Sequence, residues 1–388
     1  MKSRTLRLVA GLAAIGLLVV LAGVYAVLAS YVYLAPSLPD AAAMHNMELQ
    51  VPLRVYTRSG ELIAQIGEQR RVPVRYEDIP PLVREAFLAA EDERFFSHGG
   101  VDYPSMLRSM YVDLTTGNFQ QGASTITMQA ARNMFLTRDK NIKRKLQEVF
   151  LTFRMEHEFT KEQILETYLN VIFFGQRAYG VEAAAEVYFG KHLNELSVTE
   201  AAMLAGLPQA PSRFNPVTSP QRAAERRRYV LQRMAALRYI DADTARRAMQ
   251  EPIRAREYAP RSDVEAPYVA EMVRQEVVAR FGDAAINAGY RAYTTVDGRL
   301  QTVANRALRL GLIEYDRRHG YRGALRQRTI GAESTAEQLG ALLNDLPPVG
   351  NLQPAVVVSV APAAARVFLR DGGFAQIAWE GVSWARGG

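Results

Sequence analysis

The chain has 388 residues, with 47 Lys plus Arg against 40 Asp plus Glu, a formal charge of +7, 48% hydrophobic and 22% charged residues. These values exclude a disordered or low-complexity chain, and a chain this long buries a large core in two or three domains. Cysteine is absent, which excludes disulfides, thiolate metal sites and a cysteine nucleophile. Only six Lys occur, at 2, 140, 143, 145, 161 and 191. A charge of +7 on its own fits an anionic membrane surface, nucleic acid or neither.

Lys2, Arg4 and Arg7 precede an uncharged stretch from Leu8 to Pro39. Its apolar part, 8–34, exceeds the ~20 residues of a membrane-spanning helix. A cleaved signal peptide, with Val27-Leu28-Ala29 as its small-residue site, is the rival reading, but the run is longer than the ~7–15 residues of a signal core. A buried core helix is a weaker alternative, because the stretch has no polar face. Positive charge ahead of the span predicts a cytoplasmic tail, 1–7, with everything after the span outside.

After an Ala-rich linker, the alternation at Leu53–Thr57, a turn at Ser59-Gly60 and the run Glu61–Ile66 predict a β-hairpin. From Pro81 to about Met249 apolar residues recur at three and four spacing, predicting helices over Glu162–Val171, Val181–Tyr188 and Thr199–Leu207. Pro208, Pro211 and Pro216 break the chain into a loop, and Arg222–Arg238 forms a basic helix, read as a solvated face or a contact with anionic lipid headgroups. Tyr290–Val296 is strand-like and Gln301–Ile313 helical. Ala355–Val360 and Arg366–Arg370 are two strands, with Pro362 between them and Gly372-Gly373 after the second. Two strands rarely hold a sheet alone, so the C-terminal region reads as truncated.

Four polar clusters stand out within the helical region. Glu91-Asp92-Glu93-Arg94-Phe95-Phe96-Ser97-His98-Gly99-Gly100 ends a helix whose apolar face carries Val83, Ala86, Phe87 and Ala90. Glu91 sits on the shoulder of that face and Asp92 on its polar pole, and Glu93 would near the apolar arc if the helix continued. Periodicity alone does not choose among the acids, and a charged helix end is the plain alternative. Gly122-Ala123-Ser124-Thr125-Ile126-Thr127-Met128-Gln129, followed by Arg132-Asn133, is either a helix cap or a groove for phosphate or sugar. Lys140, Lys143-Arg144-Lys145 and Glu148 form either a surface salt-bridge face or a cationic site for an anionic group, with a carboxylate free for a divalent metal. Tyr168-Leu169-Asn170 with Phe173-Phe174-Gly175 and Tyr179-Gly180 is a packed core or a saccharide platform.

Taken together, the clusters resemble the motifs of class A penicillin-binding proteins, and within them the glycosyltransferase family 51 domain, the peptidoglycan polymerase. Glu91-Asp92-x-x-Phe95-x-x-His98-x-Gly100 resembles the first motif and Gly122–Gln129 the second. Arg144-Lys145-x-x-Glu148 resembles the third, Ile164-Leu165-x-x-Tyr168-Leu169-Asn170 the fourth, and Glu200-Ala201-Ala202-x-Leu204-Ala205-Gly206-Leu207-Pro208 the fifth. Ala123 stands where many members have Gly, and Arg132 where many have Lys. Arg is a different phosphate ligand from Lys, so that contact's geometry is open.

The resemblance implies a mainly α fold: a lysozyme-like glycosyltransferase domain over 50–250 on the N-terminal transmembrane helix, a small α/β linker over 251–325 and a partial OB-like β domain over 326–388. It implies polymerisation of lipid II into β-1,4 glycan, with the growing strand, membrane lipid and cell-wall synthesis proteins as partners, and no role for nucleic acid. Glu91 and Glu148 are the expected catalytic residues. Glu91 is the general base, its pKa raised by the apolar shoulder and not held down by a comparable cation cluster. Asp92, Phe95, His98, Ser124, Thr125, Gln129, Arg132, Arg144, Lys145 and Asn170 are expected to bind substrate, and Glu148 to hold Mg or Mn. Pro104–Gln121, with Met106, Leu107, Met110, Tyr111 and Phe119, is expected to dip into the membrane interface. A bacterial inner-membrane location with a periplasmic catalytic domain follows. The rivals are a lysozyme-like hydrolase or lytic transglycosylase, which needs no cationic cluster, and a non-catalytic scaffold, although every motif acid is present.

The family's transpeptidase motifs, Ser-x-x-Lys, Ser-x-Asn and Lys-Thr-Gly, do not occur, and no Lys follows Lys191. Covalent penicillin capture needs a serine beside such a base. This 388-residue polypeptide should therefore stay unlabelled by fluorescent penicillin on a denaturing gel. A band at its mass, chased by unlabelled penicillin, would contradict the expectation.

Overall fold

The computed structural model describes residues 2–40, 43–44, 49–116, 124–136, 141–258, 262–331, 334–350 and 352–385. The chain divides into two units, Met1–Gly298 and Arg299–Gly388.

The first unit opens with α1 (Lys2–Leu34). The stretch Ala14–Ser37 is long and apolar enough to cross a membrane. Its 24 residues span roughly 36 Å at 1.5 Å per residue, against a hydrocarbon core of about 30 Å. Ile15, Leu17, Leu18, Leu21 and Val24 are exposed, unlike the side chains of a core helix. Its end turns inward. Leu34 and Leu38 are buried, and Leu38 joins the main core.

Beyond α1, β1 (Leu53–Tyr56) and β2 (Leu62–Ile66) form the expected hairpin, and β3 (Arg70–Arg71) follows. The helical body then comprises α2 (Pro81–Glu91), α3 (Tyr103–Thr116), α4 (Ile126–Phe135), α5 (Ile142–Glu158) and α6 (Lys161–Val171). Two short strands, β4 (Phe173–Gly175) and β5 (Ala178–Tyr179), interrupt it, with β3 pairing parallel to β5. It resumes with α7 (Val181–Phe189), α8 (Val198–Gly206), α9 (Pro220–Ala236) and α10 (Ala242–Gln250).

The caps follow the sequence. Thr125 accepts from the Met128 amide at α4, Asn141 from Arg144 at α5, and Thr160 with Gln163 makes a capping box at α6. One continuous core runs through this body. Phe87, Tyr168, Phe174 and Tyr188 are fully buried, with Phe87 edge-on to both Tyr168 and Phe174.

A second, smaller core joins the hairpin to the region after α10. α11 (Pro267–Phe281) packs on the hairpin, and β6 (Arg291–Tyr293) pairs parallel to β1. Leu53, Val55, Ile63, Val264 and Ala270 fill the space between them. The strand predicted near Tyr290 thus closes onto the N-terminal hairpin, a non-local pairing that local periodicity does not encode.

The second unit consists of α12 (Gly298–Arg318), α13 (Ala336–Ala341), β7 (Ala355–Ala361), β8 (Ala364–Leu369), β9 (Phe374–Ala378) and α14 (Trp379–Val382). The three strands form an antiparallel meander in the order β7-β8-β9. The sequence signalled only two strands. The third, Phe374–Ala378, supplies the missing neighbour by pairing Val367 with Ala375 and Phe368 with Phe374. Leu339, Leu343 and Phe368 form its small core.

Gly100 is one of the glycines that the helical body requires. Its φ is +90°, and a Cβ there would lie 2.6 Å from Thr152 Cγ2 and 2.9 Å from Glu156 Cγ. Left-handed backbone and overpacking both oppose any side chain. Gly100→Ala should destabilise the fold by about 2–4 kcal/mol from these two effects, read as a lowered denaturation midpoint. An unchanged midpoint would show that α5 yields freely.

Candidate active site

The acid-rich end of α2 has a separate set of partners for each carboxylate. Asp92 leaves helical geometry, with φ −161°, so the three acids point in different directions. Asp92 is buried. Both its oxygens lie 3.0 Å from His98 Nε2, and Oδ2 accepts from the Ile126 amide at 3.1 Å. The Gly100 amide donates to His98 Nδ1 at 3.2 Å, which leaves the ring proton on Nε2, facing Asp92. Thr125 Oγ1 donates to the Gly100 carbonyl. Asp92, His98 and Thr125 therefore tie the end of α2 to the start of α4. Phe95 is fully buried beneath them, with Lys161 Nζ 4.5 Å from its ring centre.

Glu91 faces a different set. Gln129 Nε2, from α4, donates to its Oε2 at 2.8 Å. Arg226 Nη2, from α9, stands 3.6 Å from its Oε1. Among the described residues, none hydrogen-bonds to Oε1. The side chain is 10% exposed. Burial pushes its pKa up, while Gln129, Arg226 and Arg132 pull it back and Asp92 adds to the rise. The Tyr168 hydroxyl is also buried without a partner among the described residues. Its pKa is pushed up by burial and then by the charge of Glu91. The apolar shoulder expected from the sequence is present. The expected lack of cations is not, because Arg226 and Arg132 both act on Glu91.

Arg226 corrects the reading of the basic helix. Its side chain is only 12% exposed, and Arg227 is buried. Arg233, two turns on from Arg226, pairs with Glu93. The face of α9 carrying Arg226 and Arg233 meets the acids that end α2, so these arginines serve neither solvent nor lipid headgroups. Sequence reasoning missed them because their partners are far away in the chain. The seven-residue spacing was the one available signal.

The second centre lies on α5. Glu148 is fully buried, accepting from Arg144 Nη1 at 3.0 Å and Lys145 Nζ at 2.6 Å. Lys145 stays half-exposed and also reaches Ser124 Oγ at 3.4 Å. The two centres thus flank the beginning of α4, one through Ser124 and the other through Gln129. Arg132 lies one turn further along α4.

Asn170 is placed differently from the other expected residues. Its amide exchanges hydrogen bonds with the Val74 backbone and donates to the Glu166 carbonyl. It thereby splices the segment before α2 to α6. Gly122, Ala123, Phe119 and Lys140 lie outside the described residues, as do the side chains of Met110 and Tyr111. Leu107 of α3 is exposed.

The donors at Glu148 do not fit a divalent cation. Both oxygens already accept from cationic side chains, and the carboxylate is closed to solvent. Among the described residues, the group able to converge on a metal is Glu182, Glu186 and His192, on α7 and just beyond it.

Residues 59–235 match the family model described as "Transglycosylase", and residues 321–388 match "Penicillin-binding protein OB-like domain". Penicillin-binding protein 1A of Pseudomonas aeruginosa is 45% identical over 357 residues, covering 92% of this chain and 43% of that protein. Penicillin-binding protein 1A of Escherichia coli is 46% identical over 369 residues, covering 95% of this chain and 43% of its own length. The chain thus spans about two fifths of the length of these relatives. A crystal structure of penicillin-binding protein 1A from Haemophilus influenzae matches at 35% identity and a TM-score of 0.49, covering 87% of this chain and 41% of that one.

Arg144→Ala would leave a fully buried carboxylate with one cationic partner. Breaking a buried pair in this way should destabilise the protein by about 3 kcal/mol. The double variant Arg144→Ala, Glu148→Leu should recover part of the loss, because the buried charge is gone. Chemical denaturation of both variants measures this, and equal stability of the single variant and the parent would contradict it.

Proposed function

The chain belongs to the class A penicillin-binding proteins of the 1A type, and on that premise we propose that its first unit polymerises lipid II into β-1,4 glycan and releases undecaprenyl diphosphate. The observation that carries this reading is the pairing of a buried carboxylate of raised pKa, Glu91, with a partly exposed cation, Lys145, at the same end of α4.

Glycosyl transfer to a sugar hydroxyl needs a base at the nucleophile and positive charge at the leaving group. Glu91 accepts the proton of the acceptor 4-hydroxyl as its oxygen attacks the donor anomeric carbon. The bond from that carbon to the diphosphate breaks on the opposite face, so the configuration inverts. The leaving diphosphate gains negative charge, and Lys145, Arg144 and Arg132 stabilise it. Glu148 has no proton to transfer in this scheme. It holds Arg144 and Lys145 in place, and no step is given to a metal. Gln129 orients Glu91 through its 2.8 Å hydrogen bond. Arg226 lowers the pKa of Glu91 and so offsets part of the rise that burial causes.

The anchor suits a substrate whose lipid remains in the bilayer. The end of α1 docks on the helix that bears Glu148. Tyr31 lies edge-on to Phe150 at 5.2 Å, and Gln147 donates to Ser37 Oγ at 3.1 Å. The site is thereby held close to the membrane surface. The charges at Lys2, Arg4 and Arg7 orient the N-terminus to the cytoplasm and the catalytic unit to the periplasm.

Glu91→Gln should reduce polymer formation from purified lipid II by at least ~100-fold, the scale of general-base catalysis. The base works only when deprotonated, so activity in the parent should rise with pH through a limb above the ordinary carboxyl value of 4.5. Arg226→Met removes a charge that lowers this pKa, so the limb should move to higher pH. Near-normal synthesis by the Gln variant, or a limb unmoved by Arg226→Met, would refute the assignment.

A further inference from the structure

Glu156 of α5 takes no part in the chemistry above, yet several elements that build the site meet on it. Its Oε1 accepts from Thr127 Oγ1 at 2.5 Å and from Lys161 Nζ at 2.8 Å. Thr127, in the first turn of α4, is fully buried. The Glu156 and Lys161 side chains are 12% and 19% exposed. Lys161 opens α6, and its Nζ stands over the ring of Phe95. Glu148, Thr152 and Glu156 recur every four residues and share one face of α5. A Cβ on Gly100 would lie against both Thr152 and Glu156, so that face packs beneath the segment that follows α2.

The base and the leaving-group cation stand on different helices, Glu91 at the end of α2 and Lys145 on α5. Both are referred to the start of α4. Glu91 meets it through Gln129 at 2.8 Å, and Lys145 through Ser124 at 3.4 Å. The second contact is long and Lys145 is half-exposed, so it fixes little by itself. Among the described residues, the other side-chain hydrogen bond between the start of α4 and α5 runs from Thr127 to Glu156. It is short, accepted by a carboxylate and largely shielded from water, the conditions under which a hydrogen bond is strong. Thr127 lies between Ser124 and Gln129 in the chain, so holding it places both.

We propose that Glu156 is a positioning residue for glycosyl transfer: by holding Thr127, with Lys161 as its counter-ion, it fixes the distance between Glu91 and the Arg144–Lys145 pair. This rests on the roles given above to Glu91 and Lys145. Transfer needs base and leaving-group cation aligned at once, and a displacement of ~1 Å costs about 100-fold in rate.

Steady-state polymerisation of lipid II by the full chain, read beside thermal midpoints, tests the role. Glu156→Leu removes the acceptor, and Thr127→Val removes the donor with little change of shape. Each should lower kcat of the folded protein by roughly ten-fold or more, with KM nearly unchanged and the acid limb of the pH profile in place. Glu156→Gln keeps an oxygen for Thr127, and Thr127→Ser keeps the hydroxyl, so both should recover most of the parental kcat. The double variant Glu156→Leu, Thr127→Val should lose no more than either single variant, because all three delete the same bond. A residue serving stability alone would lower the thermal midpoint and leave kcat per folded molecule at the parental value, and that result overturns the proposal. Additive losses, or a loss carried by KM, overturn it as well. If Glu156→Leu does not fold, Thr127→Val against Thr127→Ser decides the question. Glu91→Gln run alongside separates the two readings. If it is inactive while folded Glu156→Leu and Thr127→Val keep the parental kcat, the positioning role alone is refuted. If it polymerises normally, the base assignment fails and this inference with it.

Discussion

Three consecutive acids at the C-terminal end of a helix are electrostatically unfavourable, because the helix dipole already concentrates negative charge there. The arrangement of the helical body answers this constraint. Glu91 is met by Gln129 of α4 and Arg226 of α9, Asp92 by His98 and the Ile126 amide, and Glu93 by Arg233. Each partner comes from an element that must be docked before the charge is compensated. The acids thus couple the docking of α4 and α9 to the end of α2, and Gly100 allows α5 to approach closely enough to complete the group.

Glu91 and Glu148 are both largely or fully removed from water, yet their surroundings differ in kind. Glu148 has a cation on each oxygen, whereas Glu91 has one amide hydrogen bond, a more distant guanidinium and, among the described residues, one oxygen without a donor. A carboxylate with both oxygens satisfied acts as a counter-ion, and one with an unmet oxygen and a raised pKa can take a proton. This contrast is the usual route by which one fold assigns separate tasks to two like groups. It also explains why the motif Arg144-Lys145-x-x-Glu148 is better described as a positioned pair of cations than as a metal ligand.

α9 joins the acids that end α2 to the segment after α10. Its inner face supplies Arg226 and Arg233 to the acids of α2, and Arg227, one residue round the helix, donates to the Met249 and Glu251 carbonyls. Holding one buried and two partly buried arginines on one helix requires fixed acceptors on each side. They come from α2 and from the carbonyls of Met249 and Glu251.

Much was legible from the sequence alone. The apolar run from Leu8 to Leu34 marks a helix long and apolar enough to cross a membrane. Capping residues and three-four periodicity locate the helices of the body, because both are local effects. The motif residues name the acids and cations of the site. Local signals do not report which side chains meet across the chain. Arg233 and Glu93 stand 140 positions apart, and the basic helix therefore reads as a solvated surface until α9 is packed against α2. The choice among Glu91, Asp92 and Glu93 was likewise open to periodicity. The tertiary structure separates them, because the helix stops at Glu91 and each carboxylate then meets a different neighbour. The parallel pairing of Arg291–Tyr293 with Leu53–Tyr56 and the third strand at Phe374–Ala378 belong to the same class. Composition and periodicity determined which residues were apolar, charged or helical, whereas long-range packing decided which charges were buried, which were paired, and which were left free to react.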